Sequence, residues 1–119
     1  MKKIGFLGAP GVGKSTLASG LFYELKKKKY EVELIPELVK FKVFMGADNS
    51  EIGFDIQNSL EQRKLEKIFD EHIGLDYVIC ENPLWNGLIY STFYNKEYEM
   101  KFLEKIARES YYDFMFFIK

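Results

Sequence analysis

The succession of elements predicts an α/β fold, a parallel sheet of about four strands held between two layers of helices. Two observations carry that prediction. Short apolar runs rich in β-formers alternate with longer stretches whose apolar residues recur at helical spacing. One of those runs, Tyr77-Val78-Ile79-Cys80, is apolar on both faces, as an interior parallel strand requires.

Taken in order, Ile4-Gly5-Phe6-Leu7 lies between charge and glycine and reads as a buried strand. A helix follows from Ser15 to about Lys29, with Leu17, Ala18, Leu21, Phe22 and Leu25 on one stripe. Lys26 to Lys29 put cations at the negative end of its dipole and read as a solvated helix end. Tyr30 to Ile35 alternates and forms strand two, stopped by Pro36. Phe41 to Gly53 has no clear period and reads as a loop with a short helical turn at its start. Ile56 to about Ile73 is a second long helix, with Leu60, Leu65, Ile68 and Phe69 predicted on its inner face. After strand three, Pro83 to Tyr94 begins another helix, Glu97 to Glu109 forms a further one, and Phe114 to Ile118 is strand four. No repeat, linker or low-complexity tract interrupts residues 1–119, which read as a single domain.

Composition narrows the partners. Apolar residues make up 47% of the chain and aromatic ones 17%, enough to bury a core. Seventeen basic residues against eighteen acidic ones leave a formal charge of -1, so no overall basic field attracts nucleic acid. Cys80 is the single cysteine and cannot form an internal disulfide, which suits a reduced, cytoplasmic setting. The apolar start is too short and too glycine-rich for a signal peptide, and no stretch approaches a membrane span. With one histidine, His72, no zinc site or histidine-activated nucleophile can be assembled.

The chemistry lies in Gly8-Ala9-Pro10-Gly11-Val12-Gly13-Lys14-Ser15, which satisfies G-x-x-x-x-G-K-[ST] between a strand and a helix. A triphosphate carries several negative charges. Successive backbone N–H groups in such a turn converge on one hollow, and the helix beginning near Lys14 adds its positive end. Gly8 and Gly13 admit a backbone approach that a Cβ would obstruct. Lys14 supplies a mobile cation for the terminal phosphates, Ser15 a hydroxyl for Mg²⁺, and Thr16 a contact to the phosphate nearest the base. These features make the predicted fold a P-loop NTPase three-layer sandwich.

In open parallel sheets, ligands sit beyond the carboxyl ends of the strands. Strand two leaves through Pro36-Glu37 and strand three through Glu81-Asn82-Pro83, so both carboxylates are expected to face the crevice of the phosphate loop. Glu81, after four apolar residues, is placed to position Mg²⁺ through water; Glu37 is placed to orient or deprotonate an attacking hydroxyl. The plainer account of each is a strand-end charge meeting solvent. Gln57, Gln62 and Arg63 read as a solvated helix face. Trp85 and the tyrosines read as core or rim, with Trp85 near enough to the Glu81 corner to flank a base.

Phe6 to Ala18, Leu34-Ile35-Pro36-Glu37 and Tyr77 to Leu84 together resemble the AAA-type P-loop kinase-like ATPases of phages and bacteria, a group similar to the nucleotide and nicotinamide-riboside kinases. The resemblance spans nearly the whole chain in order, although only the phosphate loop is highly specific. It implies ATP and Mg²⁺, and a Pro-Glu facing substrate. Where the family usually shows Asp-Ser-Pro after strand three, this chain has Glu81-Asn82-Pro83, one methylene longer. Such kinases continue into an arginine-bearing lid and a fifth strand. Here the two arginines are Arg63 and Arg108, neither beyond strand four. The expectation is therefore a C-terminally truncated version, a site completed by a partner, or binding with little turnover.

The leading expectation is an ATP-dependent kinase with a small nucleoside, nucleotide or related metabolite as acceptor. Lys14, Glu37 and Glu81 would be its catalytic groups, Gly8 to Thr16 its nucleotide contacts, and Ser15 and Glu81 its metal ligands. The alternatives are an ATPase or GTPase without an acceptor, and a non-catalytic nucleotide-binding module. An exposed fourth strand leaves a sheet edge for a homodimer or a completing partner.

Overall fold

The computed structural model describes residues 1–9, 12–48, 51, 53–93 and 96–119. Its strands are β1 (Lys2–Leu7), β2 (Val32–Ile35), β3 (Tyr77–Cys80) and β4 (Phe114–Phe117). Its helices are α1 (Lys14–Lys27), α2 (Val39–Phe44), α3 (Phe54–Asp70), α4 (Trp85–Phe93) and α5 (Met100–Arg108). The strands form one parallel sheet in the order β2-β3-β1-β4. This is the predicted α/β architecture, a parallel four-stranded sheet consistent with a P-loop NTPase fold.

The register decides where a ligand can sit. Cys80 pairs with both Gly5 and Ile35, so β2 and β3 end level with each other, while β1 runs on to Leu7 alongside β4. The segments that follow β1, β2 and β3, from Gly8, Pro36 and Glu81, therefore leave the sheet at one edge. On one face α1 packs Ala18, Leu21, Phe22 and Leu25 against Ile4, Phe6, Val32 and Ile79. On the other, Leu65, Phe69 and Tyr112 cover Ile35, Val78 and Cys80. Val78 and Ile79 are fully buried, and each contributes about 1.5–3 kcal/mol by leaving water.

Several expectations need correction. Strand two is shorter than Tyr30 to Ile35, because Lys29 turns the chain with a left-handed φ of 69° and Tyr30 still hydrogen-bonds back to Leu25. The last helix does not run evenly from Glu97; a 3₁₀ turn over Glu97–Glu99 precedes α5. The largest departure is α3. Leu60 and Ile68, predicted inside, are exposed, and Gln62, predicted solvated, is buried with Asp55, Asn58, Ser59 and Glu66. Leu65 and Phe69 do face the sheet.

Glu66 and Asp55 of this buried polar row are paired with groups elsewhere in the chain. Lys3, from β1, bridges Glu66 at 3.2 Å and Asp70 at 2.9 Å. Glu66 also accepts from Gln62 at 2.9 Å and from the Tyr112 hydroxyl at 2.8 Å. Burial alone would lower the Lys3 ammonium, but Asp70 and Glu66 outweigh it and hold it above its ordinary value. Burial pushes the Glu66 carboxyl the opposite way, toward the neutral form. Three donors converge on that carboxylate, and the geometry favours the charged pair. Asp55, in the first turn of α3, meets Lys96 at 3.1 Å and Ser91 at 3.2 Å.

Candidate functional site

At the end of β1 the chain turns sharply over Gly8. A Cβ there would lie 2.8 Å from Val12 Cγ2 and 2.9 Å from the Ile118 carbonyl oxygen, so the close approach excludes any larger residue. Gly13 is needed for a different reason than predicted. The space beside it is open among the described residues, but its φ of 96° is left-handed and strained for a residue with a Cβ. Gly13 stands immediately before α1, and among the described residues no side chain caps that helix. The first amides of α1 are thus left to an external acceptor. Pro10 and Gly11 lie outside the described residues. Ala9 and Val12 are half-buried, and Thr16 is exposed.

Lys14 is buried and its ammonium curls back into the loop. It donates to the Gly8 carbonyl at 2.9 Å, to the Ala9 carbonyl at 3.4 Å and to the Tyr90 hydroxyl at 2.6 Å. Burial draws the ammonium below its ordinary value, partly offset by the carboxylates of Glu37 and Glu81. The Tyr90 hydroxyl in turn donates to Glu37 Oε1 at 2.7 Å. Burial, and then the charge of Glu37, push the Tyr90 phenol far above its ordinary range, so it stays protonated. Lys14 and Glu37 are thereby joined through one hydroxyl.

A second cluster adjoins the first. The Ser15 hydroxyl donates to Glu81, which is almost wholly buried. The Lys40 ammonium stands 3.4 Å from Ser15 Oγ and 3.5 Å from Glu81 Oε1. A hydroxyl and a carboxylate in contact are hard oxygen donors of the kind Mg²⁺ takes, with its remaining positions left to water and phosphate. These residues fit that metal. The added methylene of a glutamate still brings its oxygen to Ser15. No cluster of three or more His, Cys, Asp or Glu suited to a metal occurs among the described residues.

Two residues on α4 fasten the loop, and sequence reasoning missed both. Asn86 is fully buried; its Oδ1 accepts from the Gly8 amide at 3.1 Å and its Nδ2 donates to the Phe6 carbonyl at 2.9 Å. Tyr90 follows one helical turn later, on the same side of α4. That i, i+4 spacing was the available signal, but it needed the knowledge that α4 lies against the loop. The Trp85 ring packs with Leu84, Ile106 and Ala107, under the Arg108 guanidinium at 5.8 Å. Gln57 is exposed as expected, and Arg63 pairs with Glu109 at 3.1 Å.

Beside Tyr90 lies a recess of about 10 Å³ between α2, α3 and the turn after β3, which is room for roughly one water. Asp55, Asn58, Ser59, Gln62, Asn82 and Tyr90 supply its polar lining.

Fold and loop together define the class, a P-loop NTPase. A family model described as an AAA domain matches residues 3–119, and the chain belongs to that family. Membership implies nucleotide binding and, as a rule, Mg²⁺. A solved structure titled "Crystal structure of APE1195" is similar in fold, with a TM-score of 0.59 and 18% identity. The match covers 99% of this chain and 60% of that one, so this chain spans about three fifths of its neighbour's length. No curated protein matches. Among the described residues no helix is long and apolar enough to cross a membrane.

Proposed function

We propose that this chain is an ATP-dependent kinase that transfers the γ-phosphoryl group to a hydroxyl of a small nucleoside, nucleotide or related metabolite. The observation that carries the reading is the hydrogen-bonded line from Lys14 through Tyr90 to Glu37. It sets a carboxylate two hydrogen bonds from the ammonium that would grip the outer phosphates. Glu37 accepts the acceptor's hydroxyl proton as its oxygen bonds to the γ-phosphorus. The bond to the β–γ bridging oxygen breaks and ADP leaves. Lys14 and the amides opening α1 hold the phosphates, which places the reacting atoms rather than activating them. Ser15 and Glu81 would hold Mg²⁺, which when bound neutralises phosphate charge.

The narrowness of the recess favours a second reading, an ATPase or GTPase whose nucleophile is water. Incubation with γ-labelled ATP and a panel of nucleosides, nucleotides and nicotinamide riboside separates the two. Label appearing in an acceptor supports the kinase. Inorganic phosphate released at the same rate with and without acceptors supports the hydrolase and rejects the kinase.

A further inference from the structure

The recess beside Tyr90 carries two side-chain atoms that lack a hydrogen-bond partner among the described residues, Asn58 Nδ2 and Asn82 Oδ1. Asn58 is 8% exposed, so its amide is desolvated. Its orientation follows from Lys42, whose ammonium donates to Asn58 Oδ1 and leaves Nδ2 as a donor toward the recess. Asn82 offers an acceptor. Leaving either group unpaired costs its full desolvation, so the recess is built to be filled.

Size and charge restrict the filler. With about 10 Å³ available, one heavy atom enters without rearrangement. It must accept a hydrogen bond from Asn58 and donate one to Asn82, which a hydroxyl does through a single oxygen. Among the described residues the lining holds no cation; Lys42, beside it, is engaged by Glu61 at 2.8 Å as well as by Asn58, and Asp55 is neutralised by Lys96. A phosphate or carboxylate brought here would be desolvated without a countercharge.

We infer that the recess is a hydroxyl subsite for a neutral polyol acceptor, such as a ribose or other sugar-like portion, and that it discriminates against acceptors already phosphorylated. This rests on the kinase reading, and it chooses nucleoside-like over nucleotide-like substrates within it. One acceptor hydroxyl sits between Asn58 and Asn82, while another reaches past Tyr90 toward Glu37. A site made to pair a hydroxyl rejects the analogue lacking it strongly, because its own polar groups are then stranded.

The test uses matched pairs: uridine with its 5′-monophosphate, ribose with ribose 5-phosphate, and glycerol with glycerol 3-phosphate. Binding to the full chain is measured by calorimetry in the presence of a non-hydrolysable ATP analogue. The expected result is that the neutral member binds at least about tenfold tighter in every pair that binds. Asn58→Asp, which replaces the donor by an acceptor, and Asn82→Leu should each weaken that binding about tenfold or more. Retained binding of the ATP analogue shows that the variants are folded. Tighter binding of the phosphorylated members overturns the inference. So does a panel in which no neutral polyol binds, or a pair of variants that bind as the parent does. Polyol binding without label transfer from ATP would reject the kinase reading and leave the subsite standing.

Discussion

Lys40 holds a position that a divalent cation would want. Its ammonium stands 3.5 Å from Glu81 Oε1 and 3.4 Å from Ser15 Oγ, the two oxygens fit for Mg²⁺. Any metal entering there must displace it. At that separation the attraction is about 1.2 kcal/mol at the permittivity of water and nearly 5 kcal/mol at an effective permittivity of 20. Lys40 is 43% exposed, and exposed pairs measure near 1 kcal/mol or below. The lower figure applies. Replacing Lys40 by Met keeps the stem and removes the charge. Half-saturation of ATP binding should then occur at about fivefold lower Mg²⁺ concentration, since about 1 kcal/mol corresponds to that ratio. Isothermal calorimetry of ATP at graded Mg²⁺, with one series in chelator, reads the effect directly. In chelator the competition vanishes and the variant should bind ATP no more tightly than the parent. An unchanged Mg²⁺ dependence would refute the competition. Weaker ATP binding at every Mg²⁺ level would instead make Lys40 a phosphate ligand.

Lys14→Ala should weaken ATP binding by about tenfold or more, the scale of a lost charged hydrogen bond; a fluorescent ATP analogue measures this, and an unchanged affinity removes Lys14 from the site. Lys3→Met should cost about 3–5 kcal/mol in urea unfolding, because Glu66 would stay buried without its cation. Adding Glu66→Gln should restore much of that loss, and failure to do so would show that the ion pair is not what the substitution broke. Asp113 is held below its ordinary value, first by the Lys3 amide, which donates to it at 2.7 Å. A depressed carboxyl contributes stability that is present above its unfolded value, about pH 4, and lost as pH falls through the folded one. Between pH 6 and pH 3 the parent's melting temperature should therefore fall further than that of Asp113→Asn, and parallel curves would contradict the assignment.

How much was legible follows from how local each signal is. The phosphate loop spells its function in eight consecutive residues, because the turn, the helix start and the cation all belong to one segment. The strands were visible for the same reason, as contiguous apolar runs. The inner face of α3 was not. Helical periodicity put Leu60 and Ile68 inside, whereas the buried row is Asp55, Asn58, Ser59, Gln62 and Glu66. Several of those residues are satisfied by groups far along the chain, among them Lys3, Lys96 and Tyr112. No local pattern announces a partner that tertiary structure brings near. Tyr90 escaped notice likewise: as one tyrosine of eight it is unremarkable until α4 is laid against Lys14 and Glu37.

Asn86 and Tyr90 give α4 a grip on two points of the phosphate turn, the Gly8 amide and the Lys14 ammonium. The same helix walls the neighbouring hollow through Gly87 and Tyr90. A guest in the hollow and a nucleotide on the loop would both bear on this one helix, and by linkage any change that either made in the other's affinity would be matched in reverse.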